Sequence, residues 1–259
     1  MKGGNMKKIG FLFCFLGLLV FASAAQAIGL EVAVGGWYHS PTGNLSYKLA
    51  AVNDKLDIED DLDYDGKLRF TGRAKVKDLP FFLPSIYVMA TPMEFDGTGR
   101  KNVGFKFGDQ NFLAATNFTS NVRLTHYDVA LYYGIPFLET ATAGLLAIDI
   151  GLDIRFVDFS ADVTQGATSQ TESIFLPVPM VFFAARIMPH DRVWLEGEFR
   201  GIAYSGSSYY SLIGRVRVNV YGPVFATTGY RWDYIDINQD NFKALVNVGG
   251  FFFELGFEI

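Results

Sequence analysis

The chain has 259 residues, half of them apolar and 16% aromatic, with a formal net charge of −5 and a single cysteine. That balance excludes a disordered chain and a disulfide-stapled scaffold, and the acidity argues against holding nucleic acid by charge. Beyond residue 27 no apolar run reaches the roughly 20 residues a membrane helix needs, so a helical membrane protein is excluded too.

The first 27 residues are read apart from the rest. Met1 to Lys8 holds three lysines and no acid, residues 9–22 are almost continuously apolar, and Ala25-Gln26-Ala27 follows. Basic, then apolar, then A-x-A is the order of a secretory signal. The apolar run is short for a bilayer span, so a signal cleaved after Ala27 is expected rather than an anchor. Cleavage leaves residues 28–259 as one domain, removes Cys14 and three lysines, and moves the net charge to −8. The exported chain then has no thiol for a disulfide or a metal.

From residue 28 the apolar residues recur with period two, the mark of strands. Residues 28–38 set Leu30, Val32, Val34 and Tyr38 against Glu31, Ala33 and Trp37. A long connection follows over 40–66, with a short helix expected within 47–58. Residues 67–77 alternate most clearly, Leu68, Phe70 and Val76 opposite Lys67, Arg69, Arg73 and Lys75. A turn bounded by prolines leads to a strand over 85–95, and a loop spans 96–118. Strands over 122–133 and 145–159 follow, the second with Ile148, Ile150, Leu152 and Ile154 facing away from Asp149, Asp153 and Arg155. Residues 160–172 read as a polar loop. Residues 174–188 are apolar on both parities, so their facing is open, and Pro177 and Pro179 predict an irregular or bulged strand. Three more strands are predicted over 192–204, 209–220 and 224–234, and a last one over 241–259.

That is ten strands, with eight or twelve as the neighbouring even counts. Connections after the first, third and fifth are long and polar. Those after the second, sixth and eighth are short and contain proline. Short turns at one end and longer loops at the other are the pattern of a membrane barrel. The connections after strands seven and nine are short for loops on the long side.

The residues opposite the apolar face include Glu31, Arg69, Arg73, Asp128, Asp149, Asp153, Arg155, Glu196, Glu198, Arg200, Arg215, Arg217, Arg231 and Asp233. A soluble barrel would turn them outward, and a membrane barrel turns them into its lumen. Mixed signs and a preference for arginine over lysine favour a confined, paired setting. Aromatic residues near strand ends suit an interfacial girdle. The fold class read here is therefore all-β, a single closed antiparallel transmembrane barrel of about ten strands. A narrow barrel of this size is largely filled by side chains, so the charges are read as a paired filling, with a small pore as the sharper alternative.

The last nine residues carry the strongest single signal. Phe251, Phe253, Leu255, Phe257 and Ile259 share one parity, Glu254 and Glu258 the other. The parity of Val246 and Val248 differs from theirs, which predicts a bulge or kink at Gly249-Gly250.

With a signal peptide, alternating strands and an aromatic C-terminal strand, the chain resembles the small outer-membrane β-barrels of Gram-negative bacteria, the OmpA/OmpW-like group, over residues 28–259. The resemblance is one of pattern. It implies Sec export and the outer membrane. It also implies outer-membrane lipid and lipopolysaccharide as surroundings, and periplasmic chaperones and barrel-insertion machinery as partners. In such families the terminal strand, here Phe253, Leu255, Phe257 and Ile259, is read for insertion. The usual last residue is Phe, and here it is Ile259. Many members of the group have no assigned activity.

Two constellations carry candidate chemistry. Asp61, Asp63 and Asp65, followed by Gly66, match the first half of a calcium loop, but Gly72 stands where the bidentate Glu belongs. A solvated acidic loop is the expected reading, a weak Ca2+ or Mg2+ site the alternative; no other cofactor is implied. His126 and Asp128 share one face of a strand and are the only candidates for acid–base catalysis by an outer-membrane hydrolase or acyltransferase. A lumen hydrogen bond is the plainer reading. No nucleophile elbow, zinc helix or phosphate loop is present. The expected function is a structural or interaction barrel with at most a narrow pore; the alternatives are that hydrolase and a soluble periplasmic barrel.

Overall fold

The computed structural model describes residues 28–48, 50–51, 54–79, 83–238 and 242–259; the expected signal over 1–27 lies outside them. The strands are β1 (Gly29–Tyr47), β2 (Leu56–Asp57), β3 (Lys67–Lys77), β4 (Ser85–Thr91), β5 (Glu94–Arg100), β6 (Phe105–Phe107), β7 (Gln110–Phe112), β8 (Asn117–Gly134), β9 (Leu146–Gln165), β10 (Thr168–His190), β11 (Val193–Tyr204), β12 (Ser207–Tyr221), β13 (Val224–Asn238) and β14 (Phe242–Glu258). A one-turn helix, α1 (Leu138–Ala141), sits in the turn after β8. No helix among the described residues is long and apolar enough to cross a membrane.

β4 and β5 both pair with β8 and form one interrupted stave. Counted that way the wall has ten staves, each antiparallel to the next, as the periodicity predicts. β14 returns to β1, with Val32 opposite Phe257 and Val34 opposite Leu255. The Ile259 carbonyl accepts the Leu30 N–H at 2.7 Å, which locks the two ends of the chain into the seam. Closure removes the unpaired edge that a long strand would otherwise present.

Several connections predicted as loops are strand. β1 runs on to Tyr47, and Leu56–Asp57 pairs back on Asn44 and Leu45 where a helix was expected. The polar segment 160–172 is the top of the β9–β10 hairpin, paired from Ile187↔Leu146 to Thr168↔Gln165. Part of 96–118 is β5 and the small β6–β7 hairpin.

At Gly249-Gly250 there is no register shift, but the predicted irregularity is present on one side: the β1–β14 ladder skips Tyr38 and His39, opposite Phe251 and Gly250. The β13–β14 ladder passes through Trp232↔Gly249, Arg231↔Gly250 and Tyr230↔Phe251 without a shift. The glycines answer to close approach: a Cβ on Gly250 would lie 1.7 Å from the Tyr38 carbonyl oxygen. The even residues of β14 face inward throughout, Val246 and Val248 as well as Phe252 and Glu254. What changes along the strand is the polarity of the interior.

That change divides the barrel. In the half that holds both termini, outward residues are apolar and inward ones charged. In the far half the order is reversed. On β8, outward Tyr127, Val129 and Leu131 give way to Thr125, Arg123 and Thr119, while inward Asp128 and His126 give way to Leu124, Val122 and Phe118. β9 switches at the same level, since Tyr127 pairs with Phe156 and Thr125 with Asp158. The terminal half is built for lipid outside, and the far half for water outside with an apolar core within.

Candidate functional site

The terminal half of the lumen is filled by three stacked clusters of ion pairs. Nearest the termini, Glu31 takes Arg73, Lys77 (3.2 Å) and Arg217 (3.1 Å), while Arg73 also holds Glu254 at 2.9 Å. One level up, Arg215 bridges Glu196 at 2.6 Å and Glu198 at 2.5 Å, and Lys75 reaches both at 3.3 Å. Above that, Arg155 grips Asp128 at 2.6 Å, Arg231 grips Asp233 at 2.9 Å, and Arg200 lies between Glu198 (3.0 Å) and Asp153 (3.8 Å). Asp149 pairs with Arg186 at 3.9 Å, which also settles the facing of β10: its even residues point inward. Aromatic rings fill the gaps, with Arg217 over Phe225 at 3.7 Å, Arg231 over Trp37 at 4.7 Å and Arg200 over Tyr87 at 4.9 Å. The void beside Trp37, Arg215 and Arg231 measures about 20 Å³, room for a single water. This half is a plug.

The sequence-predicted lumen charges join this interior except Arg69, which stands higher and partly exposed against Glu94 at 3.4 Å, and Lys67, which pairs with the exposed Asp96. The clusters also take in Lys77 and Glu258, from the charged parity of their strands, and Arg186, whose facing the alternation left open. His126 and Asp128 both point inward and are fully buried, but they do not form a dyad. The His126 Nε2 accepts from Arg231 at 2.8 Å, which leaves the proton on Nδ1, facing the Leu124 carbonyl at 2.9 Å. Asp128 is spent on Arg155. His39 is likewise buried, tilted against Trp37 with ring centroids 4.4 Å apart.

The acidic loop does not converge on a cation. Asp61 pairs with Lys101 at 2.5 Å, while Asp63 and Asp65 are exposed and Leu62 and Tyr64 turn into the core. Among the described residues no group of three His, Cys, Asp or Glu side chains is placed to hold a metal.

The far half contains what the sequence did not announce. A cavity of about 760 Å³ lies above the plug. Leu124, Val157, Phe159, Ile174, Leu176 and Val178 line it from β8, β9 and β10, and Ile202, Ile235, Ile237 and Phe242 from β11, β13 and β14. Tyr209 forms the boundary: it lines the cavity and also covers the Arg155 guanidinium at 4.5 Å. The polar groups are few and sit toward the mouth. They include Glu172, which accepts the Tyr47 hydroxyl at 2.9 Å, and Asp236. A concave, mostly apolar chamber of this size with a few polar groups at its mouth has the build of a small-molecule site.

No protein-family model matches the chain, and no curated protein matches it. Among solved structures it is similar to the outer membrane protease OmpT of Escherichia coli, with 9% identity and a TM-score of 0.55, over 92% of this chain and 100% of that one. Weaker likenesses are the translocator domain of the autotransporter NalP of Neisseria meningitidis (8%, TM-score 0.40, over 97% and 95%) and Ail of Yersinia pestis (8%, TM-score 0.38, over 90% and 100%). The OmpT likeness is one of fold, and the fold is that of an outer-membrane β-barrel.

Proposed function

We propose that this barrel of outer-membrane type spans the bacterial outer membrane with both termini in the periplasm, is closed to ions, and holds an apolar small molecule in its far half. One observation carries the reading: a large apolar chamber rests directly on a sealed, ion-paired floor. A pore needs a continuous wet path. Each inward carboxylate of the terminal half has a cation within 4 Å instead. A hydrolase using His126 would need a free ring nitrogen beside a substrate, and both nitrogens are engaged under the floor. The even number of staves brings both termini to one side, which supports the periplasmic assignment. Lipid and lipopolysaccharide would surround the apolar belt. Phe253, Leu255 and Phe257 point outward on β14, where insertion machinery would meet them.

The test is made on refolded protein. Planar bilayers should show no discrete ion conductance, and the dye N-phenyl-1-naphthylamine should bind saturably, one per barrel. Ile202→Lys, which places a charge in the chamber, should weaken dye binding about tenfold, a loss of about 1.4 kcal/mol. Stable single-channel steps from the unmodified protein would sink the plug, and dye uptake indifferent to Ile202→Lys would sink the chamber.

A further inference from the structure

The chamber is open at its side as well as at its mouth. β10 pairs with β9 without a break from Thr168 to Ile187, but its ladder to β11 ends at Val181↔Gly201. β11 goes on for three more residues to Tyr204, so the seam opens before the strand stops. The cause lies in β10. Proline has no N–H, and residues two apart in a strand direct their N–H to the same neighbour. Pro177 and Pro179 therefore remove two successive donors from one side, and the side that has opened is β11's.

The level of the opening matters. Pro179 stands opposite Ile154 and Pro177 opposite Phe156, the top of the outward apolar belt. Above it the β9–β10 hairpin climbs to a turn at residues 166–167, while the β11–β12 hairpin closes low, with Ser205 and Gly206 at positive φ in a tight turn. The tall hairpin thus overhangs the short one. Between them is a notch bordered by Leu176 and Val178 on one side and Ile202 and Tyr204 on the other, all lining the chamber. Phe175, Val181 and Tyr204 are exposed around it. Both chemistry and position are those of a doorway for hydrocarbon. The carboxylate of Glu172 lies in the chamber wall, which disfavours an anionic head entering with its tail.

We propose that the occupant is the acyl chain of a membrane lipid, which enters sideways through the β10–β11 notch while its headgroup stays outside. This rests on the apolar-chamber reading above and adds a source and a route. The barrel is placed in vesicles of phosphatidylcholine carrying a diazirine near the end of one acyl chain, irradiated, and mapped by mass spectrometry. Adducts are expected on inward Leu176, Val178 and Ile202 as well as on outward Phe175 and Val181. The double variant Pro177→Val/Pro179→Val, which returns both N–H donors, and Val178→Trp, which fills the notch, should each cut labelling of Ile202 about tenfold. Folding of each is checked by its heat-modifiable gel shift.

Adducts confined to outward residues, with dye still bound, would overturn the lateral route and leave the chamber standing. Labelling of Ile202 unchanged in both variants would show entry through the mouth and also overturn it. Loss of dye binding in the unmodified protein would remove the chamber and the route together.

Discussion

Two halves of this barrel share the same strands, the same register and the same parity, yet solve opposite problems. Along β9 the inward residues run Asp149, Asp153, Arg155 and then Val157, Phe159, Ala161, Val163. The outward ones run Ile148, Ile150, Leu152, Ile154, Phe156 and then Asp158, Ser160, Asp162, Thr164. The terminal half has lipid outside, so its polar side chains must find partners within; the far half has water outside, so its interior can be apolar. The difference teaches that a lumen is not one environment. Charge fills the lower half because arginine and carboxylate stand within ion-pair reach of each other there, while apolar chains with no such obligation leave room above.

The comparison breaks most sharply at a buried cation. Arg200→Met leaves Glu198 and Asp153 short of a partner in the plug and should lower unfolding stability in detergent by about 3–5 kcal/mol. Arg123→Met removes a cation from the exposed Asp158 pair of the far half and should change stability by less than about 1 kcal/mol. Equal effects, read from urea titrations of the gel-shifted band, would mean that the two halves are not electrostatically distinct.

The outer faces provide a smaller test. An arginine at Leu152, in the belt, should destabilise the barrel in bilayers by about 2–4 kcal/mol if it stands near the midplane. An arginine at Thr119, outward in the far half, should be neutral within about 0.5 kcal/mol. A similar penalty at both sites would extend the lipid belt over the far half and undo the division.

The smallest effect concerns pH in the water-exposed half. Asp54 is buried, which alone would raise its pKa, but it accepts backbone N–H bonds from Ala51 (2.7 Å), Lys106 (2.8 Å) and Ala50 (2.9 Å), and these hold it below the ordinary carboxylate value. A depressed native pKa stabilises the fold above the unfolded value and the gain is lost as pH falls through the native one. The clamp between the β1–β3 connection and β6 should therefore loosen below about pH 4. Hydrogen exchange at the Lys106 amide should report this, and in Asp54→Asn the acid-induced loosening should disappear, while the plug amides stay protected in both.

Much of this architecture was legible in the residues. The ten predicted strands became ten staves, and all but 174–188 could be given a facing, because a strand puts successive side chains on opposite faces whatever surrounds it. The inward charges of 67–77, 145–159 and 224–234 were readable for the same reason. Where the reading failed, it failed at the change of solvent. Residues 160–172 looked like a loop because their outward face is Ser, Thr and Asp, and Val246 with Val248 looked like a parity break because apolar residues had been assigned to the outside. The facing of 174–188 stayed open since apolar residues occupy both sides where lipid lies outside and the chamber within. Alternation tells which residues share a face; it does not tell which face meets water.

The sequence by itself thus determined the strand class, the closed antiparallel wall and the membership of the charged face, since each depends on local geometry and period. The tertiary structure alone decided how the charges pair, that His126 answers to Arg231 rather than to Asp128, and that a chamber lies over the plug. It also decided that the wall opens beside Pro177 and Pro179. Those outcomes depend on residues more than a hundred positions apart being brought to one level, and on the unequal heights of neighbouring hairpins, and no local pattern encodes either.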